Sequence, residues 1–182
     1  MWTTAPTPQS ELFHYSEEPD IARFVPHVPA THQTSEPYVW AVEARHAPLY
    51  WFPRACPRVT VWANHEAQRA RLRALFATDR ERVQYAPSSE RDKTQRCRLY
   101  EYAFEPDAFL PWPEAEGQWV AREVVVAKRV TAVGPLEARQ LAAAVDLRWT
   151  DDLASARDAV LVSGLPFSIV RYRNYVEHRE PA

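Results

Sequence analysis

Apolar and polar residues alternate along much of this chain, and the alternation marks a series of short strands. Glu11 to Tyr15 (E-L-F-H-Y) sets Phe13 and Tyr15 on one face and Leu12 and His14 on the other. Tyr38 to Val42, Arg58 to Trp62, Arg82 to Tyr85 and Arg98 to Phe104 read the same way. Later strands are predicted over Gln118–Ala127 and Arg129–Val133, with an extended piece at Asp146–Trp149 and a last strand at Phe167–Val170. Helical spacing appears at Glu66–Phe76 (Leu72, Leu75 and Phe76), at Pro135–Val145 (Leu136, Leu141 and Val145) and at Asp151–Leu161, where Asp151 or Asp152 serves as cap.

Shorter helical pieces are expected between these. Glu43–Phe52 is one, with Pro48 in its first turn. Ser16 to Ile21 has a serine cap followed by acids and proline, which predicts one helical turn with Ile21 and Phe24 packing inward. Ser88 to Arg96 reads as polar and exposed, and Glu105 to Gly117 as a loop of proline, tryptophan and acids. The pattern predicts an α+β fold of mostly antiparallel short strands with a few helices. One domain is expected over residues 11–176, between a flexible tail at 1–10 and a short tail at 177–182.

Composition narrows the chemistry. The 182 residues hold 3 glycines and 16 prolines, and residues 1–116 contain no glycine. A Rossmann turn and a P-loop both need glycine where backbone approaches phosphate, so neither is present. The net charge of −2 implies no general attraction to nucleic acid or anionic membrane. Two cysteines make no disulfide framework, which fits a reducing cytoplasmic setting. The opening residues lack the basic-then-apolar pattern of a signal peptide, and no apolar run is long enough to span a bilayer. No histidine pair has zinc-ligand spacing on a helix, and no G-x-S-x-G elbow occurs. Cys56 is a thiol whose flanking residues give no reason for a lowered pKa.

Three strand contexts carry candidate chemistry: L-F-H-Y-S at 12–16, V-W-A-V at 39–42 followed by A-P-L-Y at 47–50, and R-E-V-V-V at 122–126. Glu123 is unusual, because carboxylates are depleted in strands. The blocks L-F-H-Y-S-E-E-P-D-I, V-W-A-V, L-Y-W-F-P-R and P-R-V-T-V-W resemble a bacterial family of unknown function over most of residues 11–175. That likeness implies no activity.

A more distant resemblance is to the ADP-ribosyltransferase fold of the His-Tyr-Glu type. His14 and Ser16 match its H-x-[ST] strand, Trp40 the aromatic of its second strand, Tyr50 its second aromatic, and Glu123 its late acid. The resemblance implies a split sheet that binds NAD as substrate and transfers ADP-ribose to an acceptor. His14 would hold the adenosine ribose and Ser16 the nicotinamide ribose, Trp40 and Tyr50 would line the pocket with Tyr50 stacking on nicotinamide, and Glu123 would be catalytic. Ala121 stands where arginine-modifying members carry a second acid, so that acceptor is disfavoured. Arg54 and Arg58 are candidate pyrophosphate contacts, and the arginines of Gln68–Arg73 read as a solvated helix face. An alternative is a non-catalytic module that holds a small ligand or peptide among Trp40, Tyr50, Trp51 and Trp119. A third is a stable domain whose ancestral site has decayed.

Overall fold

The computed structural model describes residues 11–28 and 36–175; the expected tails at 1–10 and 177–182 lie outside these residues. In chain order the strands are β1 (Leu12–Ser16), β2 (Val39–Glu43), β3 (Arg58–Trp62), β4 (Arg82–Pro87), β5 (Tyr100–Phe104), β6 (Leu110–Pro111), β7 (Gln118–Ala121), β8 (Arg129–Ala132), β9 (Val145–Thr150) and β10 (Phe167–Val170). The α-helices are α1 (Glu66–Phe76), α2 (Arg91–Arg96), α3 (Leu136–Ala142) and α4 (Leu153–Leu161). Short 3-10 turns occur at Ala44–Tyr50, Ser88–Glu90, Pro106–Ala108 and Tyr172–Asn174. The fold is α+β and rich in antiparallel pairs, with β4 and β9 running parallel.

The chain forms two compact units, and it passes between them more than once. One comprises the chain up to Tyr50 together with Arg98–Val133; the other comprises Trp51–Cys97 and the chain from Gly134 onward.

The first unit is a six-stranded antiparallel sheet in the order β6-β7-β2-β1-β5-β8. Its core covers one face: Leu12, Val39, Ala41, Tyr102, Phe104, Trp119 and Ala121, closed by Phe24, Phe109 and Val125. Period-2 geometry explains this choice, since alternate residues on paired strands share a face. Trp40 and Tyr38 therefore face the other way, where their rings meet Trp112 edge to face at 5.1 and 5.6 Å.

The second unit is a four-stranded sheet in the order β10-β3-β4-β9. Val59, Val61 and Val83 pack against Leu72 and Phe76 of α1 and Leu153 and Val160 of α4. The other face holds a buried polar chain: Thr60 donates to Gln84 at 3.4 Å, Gln84 to Gln140 at 3.1 Å, and Gln140 to the Trp51 carbonyl at 3.4 Å. Helix α4 opens on the Asp152 carboxylate, which accepts from the Ser155 amide at 2.9 Å.

Three local expectations are corrected. Ser16–Ile21 forms no helical turn. The Ser16 hydroxyl accepts the Glu18 amide, while the Tyr102 hydroxyl donates to the Glu18 carbonyl and accepts the Ile21 amide, so these backbone groups bond side chains and not a helical turn. Strand β7 stops at Ala121 and does not run to Ala127, because its partner β2 begins at Val39, opposite Ala121. In α3 Leu136 and Gln140 are buried while Leu141 is 66% exposed, since the amide chain claims the inward position beside it. As expected, Ser88–Arg96 is exposed for the most part; it forms a 3-10 turn followed by α2.

Candidate functional site

Strand β1 pairs with β5 along all five of its residues. Its pairing with β2 covers Leu12↔Glu43 and Phe13↔Val42 and then stops. Beyond that point β2 is held by β7, through Val39↔Ala121 to Val42↔Gln118. The six-stranded sheet is thus two three-stranded halves joined at a short seam, and it opens toward the C-terminal end of β1 and the N-terminal end of β2.

His14 sits at the fork. Its Nδ1 is 3.0 Å from the carbonyl oxygen of Trp40, so a side chain replaces the ladder where the strands part. A carbonyl only accepts, so Nδ1 carries the hydrogen and the neutral ring presents Nε2 as an acceptor. Ser16 ends β1, and its oxygen accepts the Glu18 amide at 3.1 Å, which leaves the hydroxyl hydrogen to donate. The 3-10 turn Ala44–Tyr50 continues directly from β2 and packs against both β1 and β2 across the seam. At its end the Tyr50 hydroxyl accepts from the Gln118 side chain at 2.9 Å; Gln118 pairs with Val42, and alternation sets both side chains on the face opposite His14.

Glu123 lies on a segment that reaches the β1 half by a different route. Past Ala121 the chain bends through residues 122–124, and Val125 then forms an isolated bridge with Phe24. Two backbone bonds make it: Phe24 N–H to Val125 O at 2.8 Å and Val125 N–H to Phe24 O at 3.0 Å. The Phe24 ring packs edge to face on His14, Tyr102 and Phe104, each at 5.0 Å. Residues 122–125 therefore cross from the β2 half to the residues packed on the β1 half, and Glu123 lies midway. It is exposed, and among the described residues it makes no ion pair. Its neighbour Arg122 turns to the other face, where it donates to Glu36 at 3.1 Å and lies 5.7 Å from the Tyr38 ring.

The remaining candidates separate. The Trp40 side chain faces away from His14, and the carbonyl is its contribution at the fork. Trp119 is buried in the core, its indole N–H donating to Glu43 at 2.9 Å. Trp51 belongs to the second unit and is covered by the Arg139 guanidinium at 4.8 Å. Arg58 is 4% exposed, donates to the Cys56 carbonyl at 2.9 Å and lies over Phe52. Burial pushes the Cys56 thiol up to about 12, so it is no ready nucleophile. The α1 arginines are occupied: Arg69 pairs with Glu81, Arg73 with Asp79, and Arg71 donates to the Ser163 carbonyl. Among the described residues no group of three or more His, Cys, Asp and Glu side chains is set to hold a metal.

A family model described as a family of unknown function (DUF6886) matches residues 13–175, which take in β1 through the turn after β10. The chain belongs to this family. No curated protein and no solved structure matches it. The match covers residues of both compact units, the fork and its crossing segment. Within the described residues no helix is long and apolar enough to cross a membrane.

Two residues at the fork escaped the sequence reading of function, Tyr102 and Phe24. Tyr102 sits in an alternating strand like any core tyrosine. Its link to the loop after β1 spans more than eighty positions, and no local pattern reports that.

Proposed function

We propose that this family member binds NAD in the fork of its first sheet and transfers the ADP-ribose portion to an acceptor. The observation that carries the reading is the seam: β1 and β2 part after two pairs, with His14 at the branch and Glu123 on the segment that crosses it. A dinucleotide held by side chains along the parted strands would need no glycine-rich loop, which agrees with the absence of glycine before Gly117.

The residues present fit such a substrate. Nε2 of His14 accepts from a ribose hydroxyl, and the Ser16 hydroxyl donates to the second ribose. In the reaction the bond between nicotinamide and ribose C1′ breaks, and the electron pair leaves with neutral nicotinamide. The acceptor's nucleophile bonds to C1′ and releases its proton. Glu123 stabilises the positive charge that builds on the ribose and takes that proton or orients the acceptor. The free thiols Cys56 and Cys97 agree with a reducing, cytoplasmic setting.

Calorimetric titration of NAD into the pure protein tests this directly, together with release of nicotinamide. His14→Ala should weaken binding, whereas Glu123→Gln should bind and fail to turn over. Absence of both binding and turnover in the wild-type protein would overturn the reading. A second reading is favoured by the Tyr38–Trp40–Trp112 cluster beside Arg122 on the opposite face: a non-catalytic module that holds a flat ligand there. Quenching of tryptophan fluorescence by NAD that persists in His14→Ala but is lost in Trp112→Ala would favour it.

A further inference from the structure

The two halves of the proposed site arise from distant parts of the chain, and one residue links them. Phe24 lays its ring on His14 and gives both backbone groups to Val125, two residues past Glu123. Phe24 itself lies in a segment outside any helix or strand of more than one residue, so something else must fix it. That fixture is Tyr102. Its side chain is fully buried, its hydroxyl donates to the Glu18 carbonyl at 2.5 Å and accepts from the Ile21 amide at 3.1 Å, and its ring packs on Phe24 at 5.0 Å.

We infer that Tyr102 is a positioning residue: through its hydroxyl it sets the loop at 18–24, and through the Phe24–Val125 bridge it sets where Glu123 stands relative to His14. As a statement about catalysis this rests on the ADP-ribosyl transfer reading; as a statement about coupling it does not. His14 touches Phe24, but its backbone is held by the β1–β5 ladder and its Nδ1 by the Trp40 carbonyl, and neither bond passes through the Tyr102 hydroxyl. Loss of the Tyr102 hydroxyl therefore disturbs Glu123 and leaves His14 in place. A reacting group shifted by about 1 Å loses on the order of a hundredfold in rate, whereas binding through His14 is unaffected.

The test is Tyr102→Phe, which removes the hydroxyl and keeps the ring. The first measurement is amide hydrogen exchange, which needs no substrate. Exchange at Phe24 and Val125 should accelerate by about tenfold or more, with the β5 amides unchanged. The second is kinetic: the NAD dissociation constant should stay within about twofold while turnover falls by about tenfold or more. If the variant does not fold, Val125→Pro cuts the same link by removing the amide donated to Phe24, and the same split is expected. Unchanged exchange at Phe24 and Val125 overturns the coupling. Equal losses in affinity and turnover, or no loss in either, overturn the positioning role. If the wild-type protein ignores NAD, the proposed function fails by that result alone, and the exchange experiment still decides whether Tyr102 governs the Glu123 segment.

Discussion

His14 donates from Nδ1 to the carbonyl oxygen of Trp40 across 3.0 Å, at the point where β1 and β2 cease to pair. A histidine side chain thereby does two things at once. It satisfies a strand carbonyl that has lost its ladder partner, and it fixes the ring so that its other nitrogen is the acceptor.

That relationship makes a spectroscopic prediction. Nitrogen-15 NMR of the imidazole should show the Nδ1–H tautomer for His14 in the neutral protein, the opposite of the form that dominates for free histidine. His14→Ala should cost about 1 kcal/mol of stability from the lost hydrogen bond, read as a shift in the urea midpoint. An Nε2–H tautomer would remove the basis for His14 as an acceptor toward ribose.

Glu11 predicts how the first unit responds to acid. Arg129 bonds both of its carboxylate oxygens, at 3.0 and 2.8 Å, and Lys128 lies 2.8 Å from one of them. Hydrogen bonding from Arg129, then from Lys128, holds the Glu11 pKa down to about 2, from an ordinary 4.5. A carboxylate with a lowered folded pKa adds stability above its unfolded value and loses it as pH falls through the folded value. Thermal unfolding of wild type and Glu11→Gln should therefore differ at neutral pH and converge between about pH 4.5 and 2. A constant difference across that range would contradict the pairing.

Gly117 tolerates no side chain. Its φ is +73°, and a Cβ built there would run into the imidazole of the buried His46. Its carbonyl also accepts the Glu43 amide at 2.9 Å. Gly117→Ala combines a left-handed penalty with overpacking, for an expected loss of about 2–5 kcal/mol. Gly134→Ala is the control: φ is +83° but nothing lies within 4 Å of the added carbon, so the smaller, backbone part alone is expected in its melting temperature.

The amide chain of the second unit predicts non-additivity. Gln84 and Gln140 are 0% and 1% exposed and bond each other at 3.1 Å. Removing one amide strands its partner, so Gln84→Leu and Gln140→Leu should each cost about 1–3 kcal/mol. The double variant should cost less than the sum, as measured by denaturant unfolding of all four proteins.

Much of the local structure was legible. The spacing of Leu72 and Phe76 located α1 at Glu66–Phe76, and the cap of α4 was read as Asp151 or Asp152, of which the structure uses Asp152. Alternation located β3 and β10 at their observed ends. Of the site, the sequence singled out His14, Ser16 and Glu123, but it read Glu123 inside a strand and gave Trp40 a side-chain role where the structure presents a carbonyl. It also pointed Leu141 inward and overlooked Gln140.

The division has a physical basis. Helix caps, 3.6-residue spacing and period-2 alternation follow from backbone geometry within a few residues, so the sequence by itself located most of the helices and strands. How far each strand stays paired depends on residues far away in the chain. Strand β7 ends at Ala121 because β2 begins at Val39, and β1 leaves β2 after Phe13 while β5 holds it to Ser16. Only the tertiary structure could decide that the first sheet opens into a fork, and that Phe24 and Tyr102 join its two sides.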